Sequence, residues 1–130
     1  MDAVLKMSSV PAPPPFPALQ GRKYLSLTSF RKSGQPVKTP LWFAEEDGRF
    51  FFMTRDDSWK FKRIRNNPAV KIAPCTIRGR VTGPEMAARV RIMPQSEWEI
   101  ARRGLKRKYW LVRLPWLWSK HNTFLEILPT

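Results

Sequence analysis

The chain has 130 residues, 24 of them lysine or arginine and 10 aspartate or glutamate, for a formal net charge of +14. That length suits one domain around one hydrophobic core, and the charge favours anionic partners without choosing among phosphate, nucleic acid, acidic lipid and acidic cofactor. With Cys75 the single cysteine and His121 the single histidine, an intramolecular disulfide and a Cys/His zinc site are excluded, and no metal site is expected.

Residues 1–20 stand apart: "PAPPPFP" holds five prolines in seven positions. Such a segment favours extended backbone and cannot join a helix. A flexible arm over 1–20 and a domain over 21–130 are therefore expected. From Tyr24 the pattern turns to strands. "YLSLTSF" is followed by a Ser-Gly turn in "RKSGQP", and "VKTPLWFA" resumes with Pro40 inside it, which marks an edge strand or a bulge. Asp47-Gly48 is a hairpin turn signal, and "RFFFMT" is the next strand. Residues 24–54 thus read as an antiparallel meander. The acids Glu45, Glu46 and Asp47 read as solvating its turn.

"DDSWKFKRIRNNP" then reads as a short helix: Asp56, Asp57 or Ser58 caps it, Phe61 and Ile64 share its buried face, and Asn66-Asn67-Pro68 ends it. "AVKIAPC" is a fourth strand, with Cys75 as a small core residue. "RGRVTGPEMAARVRIM" contains a fifth, with Gly79 and Gly83 allowing a bend or close backbone approach. Pro94 opens a longer helix through "EWEIARRGLKRKYWLV", with acids early and bases late as the helix dipole favours. "NTFLEIL" is the last strand. The sum is a mainly β chain with helices, best fitted by a small antiparallel barrel. The apolar stretch "YWLVRLPWLW" is broken by Arg113 and Pro115 and falls short of the ~20 residues that span a bilayer. "MDAVLKMSSV" lacks a secretion-signal pattern. A soluble cytoplasmic protein is expected, in keeping with the lone cysteine.

The cationic helix has two readings. Its N-terminus offers unpaired N–H groups and the positive end of the helix dipole. Ser58 adds a hydroxyl, Thr54 another, and Lys60 an ammonium in the first turn, which together make a sensible monophosphate cradle. The plainer alternative is a capped helix with a solvated basic face. No Ser-His-Asp set, carboxylate pair or Gly-rich dinucleotide motif accompanies it.

"FFMTRDDSWKFKRIRNNPAVKIAPC" resembles the phosphate-binding segment of the pyridoxamine 5'-phosphate oxidase-like split β-barrel flavoproteins. More narrowly, "TPLWF", "SWKFKRIRNNPAV", "APCTIRGRVTG" and "RKYW…RL…EILP" resemble a subgroup described as F420-dependent oxidoreductases, over residues 22–129 in consistent order. The resemblance implies a split antiparallel β-barrel, homodimeric, with a flavin-type cofactor at the subunit interface. It implies that Ser58 and Lys60 hold the cofactor phosphate, with Thr54 and the Met53 backbone beside phosphate and ribityl chain. It implies that Lys38, Thr39 and Pro40 line the cofactor and that Arg80 approaches from the next strand. Arg63 and Arg65 are weaker candidates. Trp59 departs from the small residue common between Ser and Lys in these proteins.

The cofactor implied is coenzyme F420 or FMN. F420 comes first because its acidic oligoglutamate tail suits the bases from Arg102 to Lys120. The expected function is an oxidoreductase that moves a hydride between that cofactor and a small organic substrate, with no catalytic side chain assigned. Two alternatives are a non-catalytic flavin, deazaflavin or haem carrier on the same barrel and, further off, a nucleic-acid-binding barrel that uses its cations and aromatics.

Overall fold

A computed structural model describes residues 16–109 and 121–130. Its strands are Tyr24–Phe30 (β1), Pro36–Trp42 (β2), Ala44–Glu46 (β3), Arg49–Arg55 (β4), Ala69–Pro74 (β5), Met86–Ile92 (β6) and Asn122–Pro129 (β7). Helix α1 spans Trp59–Asn66 and α2 spans Trp98–Lys108, each expected from the sequence. The long helix ends sooner than "KYWLV" suggests, and residues 110–120 lie outside the described residues.

All seven strands form one antiparallel sheet in the order β2-β1-β5-β6-β7-β4-β3. The meander expected over residues 24–54 is instead two hairpins, β1–β2 and β3–β4, at opposite ends of that sheet. The reason sits at Phe43. One stretch of chain pairs with β1 up to Trp42 and with β4 from Ala44, so it changes partners across a single residue. Because β2 and β3 are the two ends of the sheet and are covalently consecutive, the sheet must curl until its ends meet. The result is a split β-barrel. Tyr109 pins the corner: its hydroxyl lies 2.7 Å from the Phe43 carbonyl oxygen and 2.8 Å from that of Lys23.

Local chemistry explains the elements. Asp47 and Gly48 both have positive φ, 53° and 73°, as a two-residue hairpin turn requires. Pro40, which cannot donate to a ladder, lies in β2 at one end of the sheet. Gly83 permits close packing, since a Cβ there would fall 2.6 Å from Pro74 Cγ. Alternate residues of each strand fill the barrel: Leu25 and Leu27, Phe50 and Phe52, Val70 and Ile72, Ala88 and Val90, Leu125 and Ile127. Phe61 and Ile64 of α1 close one end of that core. Phe16 and Leu19 join it as well, so residues 16–20 pack with the domain, while residues 1–15 of the expected arm lie outside the described residues. Cys75 is buried, as expected, and burial pushes its thiol pKa up.

A second apolar layer covers the outside of β3, β4 and β7. Phe51 and Phe124 meet Ala101, Leu105 and Tyr109 of α2 there. This layer corrects the view of Glu46 as a solvated turn acid, while Asp47 stays exposed on the turn. Glu46 is 4% exposed and accepts ion pairs from Arg103 (3.1 Å) and Arg107 (2.6 Å). The close approach of Gly104 to the Glu46 side chain makes room for it.

Candidate functional site: the N-terminus of α1

Strand β4 delivers Thr54 on the face that carries Phe50 and Phe52, at 9% exposure. Met53 points to the other face and packs on the α2 layer, so only its backbone is available near Thr54. Pairing of β4 with β3 stops at Phe51, and the β3-side edge of Met53–Arg55 has no strand partner among the described residues.

Ser58 is the N-cap of α1, in extended backbone. Its Oγ accepts from the Phe61 N–H (3.1 Å), donates to the Arg55 carbonyl (2.8 Å), and lies 3.3 Å from Thr54 Oγ1. The two hydroxyls predicted to converge are therefore in contact. The N–H groups of Trp59 and Lys60 meet no backbone acceptor among the described residues, as expected in a first helical turn. Lys60 is half-buried there. Burial first, and the charge of Arg63 second, lower its pKa, and no carboxylate pairs with it among the described residues. The nearby acids are engaged elsewhere: Asp57 pairs with Arg55 at 2.8 Å, and Asp56 lies 3.5 Å from His121 Nδ1.

The remaining predicted residues form a second group. Lys38 and Pro40 lie exposed on one face of β2, while Thr39 is on the face of Leu41, toward the barrel core. Pro40 abuts Gly79, where an added Cβ would lie 3.6 Å from Pro40 Cγ. The turn that follows is closed by the Arg80 N–H to Thr76 Oγ1 (3.1 Å) and the Thr76 N–H to the Arg80 carbonyl (2.9 Å). Arg80 is exposed beside Pro40's neighbour, and no hydrogen bond or ion pair among the described residues joins this group to Thr54, Ser58 and Lys60.

Sequence reasoning missed a groove of about 780 Å³ beside the α1 corner. Its helix side is Trp59, Lys62, Arg63, Asn66 and Asn67; its other side is Phe30, Arg31 and Lys32, where β1 turns toward β2. Trp59, 72% exposed, lines this groove, and Lys62 Nζ sits 4.6 Å from its ring centroid. It is the one aromatic that is exposed among the described residues. Arg63 Nε donates to Ser29 Oγ at 2.8 Å, which anchors α1 to β1. The signal available in the sequence was only that Arg31-Lys32 precedes a turn.

The model of the pyridoxamine 5'-phosphate oxidase family matches residues 17–114. Solved structures share the fold. The haem storage protein HutZ from Vibrio cholerae has a TM-score of 0.67 at 13% identity, over 85% of this chain and 84% of that one. A structure described as an F420 reductase has a TM-score of 0.64 at 19% identity, over 93% and 96%. An FAD-binding protein from Mesorhizobium loti has a TM-score of 0.63 at 20% identity, over 97% and 87%. No curated protein matches the chain. No helix of the described residues is long and apolar enough to cross a membrane.

Proposed function

The chain belongs to the pyridoxamine 5'-phosphate oxidase family, and from that premise we propose that it is a cytoplasmic oxidoreductase. It would transfer a hydride between coenzyme F420, or FMN, and a small organic substrate. The observation that carries this proposal is the α1 corner. Thr54 and Ser58 hydroxyls 3.3 Å apart, the N–H groups of Trp59 and Lys60, and a half-buried ammonium, the last two without an acceptor or counter-ion among the described residues, together suit a phosphate.

The fit has a specific chemical requirement. The Ser58 proton now serves the Arg55 carbonyl, so a phosphate oxygen must compete for it, while Thr54 can turn its proton outward from Ser58. Lys60 supplies the compensating charge. A bound flavin or deazaflavin supplies the hydride chemistry itself. The protein's part is to fix the phosphate at α1, to line the ring system with Lys38, Thr39, Pro40 and Arg80, and to keep water away. A homodimer with the cofactor at the interface would let the β2 group and the α1 corner act on one cofactor although they are separate groups within one chain.

A second reading is a carrier that binds a flavin, deazaflavin or haem without turnover. The fold shared with a haem storage protein favours it, as does the lack of an assigned acid or base. Titration of F420 and FMN into the wild type and Lys60→Ala tests the proposal. Binding by the wild type, weakened in the variant, is expected; if neither cofactor binds the wild type, the redox proposal falls. Oxidation of the reduced cofactor by an electron-poor acceptor then separates enzyme from carrier.

A further inference from the structure

We propose that Lys108 is a nucleophilic lysine, and that the cleft beside it takes a small aldehyde, which Lys108 binds covalently as an imine. The site lies at the C-terminal end of α2 and includes none of Thr54, Ser58 and Lys60.

The cleft measures about 260 Å³ and lies between the end of α2, the Phe43 corner and the residues that lead into β1. Leu19, Phe43 and Phe50 are its apolar side, and Glu45, Arg107 and Lys108 its charged side. Gly104 also lines it, one helical turn before Lys108 and on the same face. A Cβ there would meet Glu46 Cβ at 3.2 Å, so the glycine lets α2 sit close on β3 and carry Lys108 over the corner.

The amine is held in an apolar seat. Lys108 Nζ lies 3.7 Å from the Phe43 ring centroid and 5.7 Å from that of Tyr109. Tyr109, the next residue, is fixed by its hydroxyl to the carbonyls of Phe43 and Lys23, which holds the end of α2 in place. No carboxylate pairs with the Lys108 ammonium among the described residues. Burial therefore outweighs the opposing Glu45 charge and lowers the pKa to about 8. At neutral to slightly basic pH about a quarter of Lys108 is then the nucleophilic free amine, against about one part in a thousand for an ordinary lysine.

The cleft also holds a group that can move the protons. Glu45 Oε2 is buried and receives no hydrogen bond among the described residues. Arg107, the other charged group of the cleft, is engaged by Glu46 and by the Glu45 carbonyl. The free amine adds to the aldehyde carbon, forming the C–N bond as the C=O electron pair moves to oxygen. Both amine protons pass to that oxygen by way of the Glu45 carboxylate. The oxygen leaves as water as the C=N bond forms, so no oxidant, reductant or further reactant is needed. Size selects this chemistry over acyl transfer. The cleft has the volume of roughly nine waters at about 30 Å³ each. That is room for a short aldehyde, which expels only water, and not for an acyl donor with a bulky leaving group.

The test treats the full chain with limiting butanal and cyanoborohydride, which reduces the imine to a stable amine, and locates the adduct by peptide mass spectrometry. Lys108 should be labelled at least about tenfold faster than the average of the other lysines, with a rate that rises with pH and levels off above about 8. The α-amino group titrates in the same range and is scored on its own peptide. Pyrenecarboxaldehyde, too large for the cleft, should show no preference for Lys108. Glu45→Gln should slow labelling about tenfold or more, although loss of its charge leaves the amine neutral more often; a lysine that is merely desolvated would react faster in that variant. Lys108→Arg, which keeps a cation over Phe43, should lose the adduct while its circular dichroism stays that of the wild type. Labelling spread evenly over the lysines or led by Lys60, an equal preference for the large aldehyde, or equal or faster labelling in Glu45→Gln overturns the proposal.

Discussion

Helix α1 carries Lys60, Lys62, Arg63 and Arg65, and α2 carries Arg102, Arg103, Lys106, Arg107 and Lys108. In α2 the arginine charge is structural. Arg103 and Arg107 reach the buried carboxylate of Glu46, Arg107 also donates to the Glu45 carbonyl, and Arg102 pairs with Glu99. In α1 no described carboxylate answers the cations; Arg63 is tethered to a hydroxyl and Lys62 lies over Trp59. Composition cannot tell the two helices apart. What separates them is whether the fold brings an acid within reach, and a basic helix without one is the better place to look for an anionic ligand.

The difference can be broken from the α2 side with the largest effect. Glu46→Ala removes the acceptor of two arginines and should cost about 2–3 kcal/mol, read as a fall in denaturant midpoint, with cofactor affinity unchanged. The cost is below that of a fully buried pair because both arginine heads can return to water. A loss of affinity as large as the loss of stability would erase the distinction between the helices.

On the α1 side the effects should reverse. Lys60→Ala should weaken cofactor binding about tenfold or more by calorimetry and leave thermal stability unchanged or slightly higher, since its ammonium is desolvated and repelled by Arg63. Ser58→Ala straddles both roles. Loss of the cap to the Phe61 N–H should cost about 1 kcal/mol of stability, and loss of the hydroxyl should weaken binding as well.

The smallest effect sharpens the comparison within α2. Lys108 sits over the Phe43 ring, 3.7 Å from its centroid, and burial, opposed by Glu45, lowers its pKa to about 8. A folded pKa below the ordinary lysine value means that the folded chain binds this proton less readily than the unfolded chain. The penalty is full below pH 8 and fades as pH rises from 8 toward the ordinary lysine pKa. The stability of wild type relative to Lys108→Met should therefore rise across that window. The change should stay under about 1 kcal/mol, because the group is partly in water.

Local features were legible in the sequence. Asp47-Gly48 demands a tight hairpin turn, Pro40 an edge, Ser58 a cap, and Asn66-Asn67-Pro68 a stop. Thr54, Ser58 and Lys60 could be grouped for the same reason, since they fall within seven residues. What could not be read were meetings across the chain. Glu46 looked like a solvated turn acid because Arg103 is 57 residues away. The switch at Phe43 was invisible because "VKTPLWFAEE" is strand-like throughout and nothing in it says that the partner changes. The groove was missed because Arg31 and Lys32 meet α1 only after β1 carries them there.

One consequence of the sheet order concerns the making of the protein. Strand β7 lies between β6 and β4 and is the element that joins β2-β1-β5-β6 to β4-β3. A chain still on the ribosome and extended only through α2 can form both hairpins, yet β6 and β4 each present an open ladder to whatever is nearby. Closure waits for residues 122–129, whose partners in β4 were translated some seventy residues earlier. Such a late, long-range docking step slows folding and lengthens the time that unpaired edges are exposed. Aggregation during synthesis, rather than unfolding afterwards, is therefore the vulnerability this topology builds in, and substitutions in β7 should show it first as lost soluble yield.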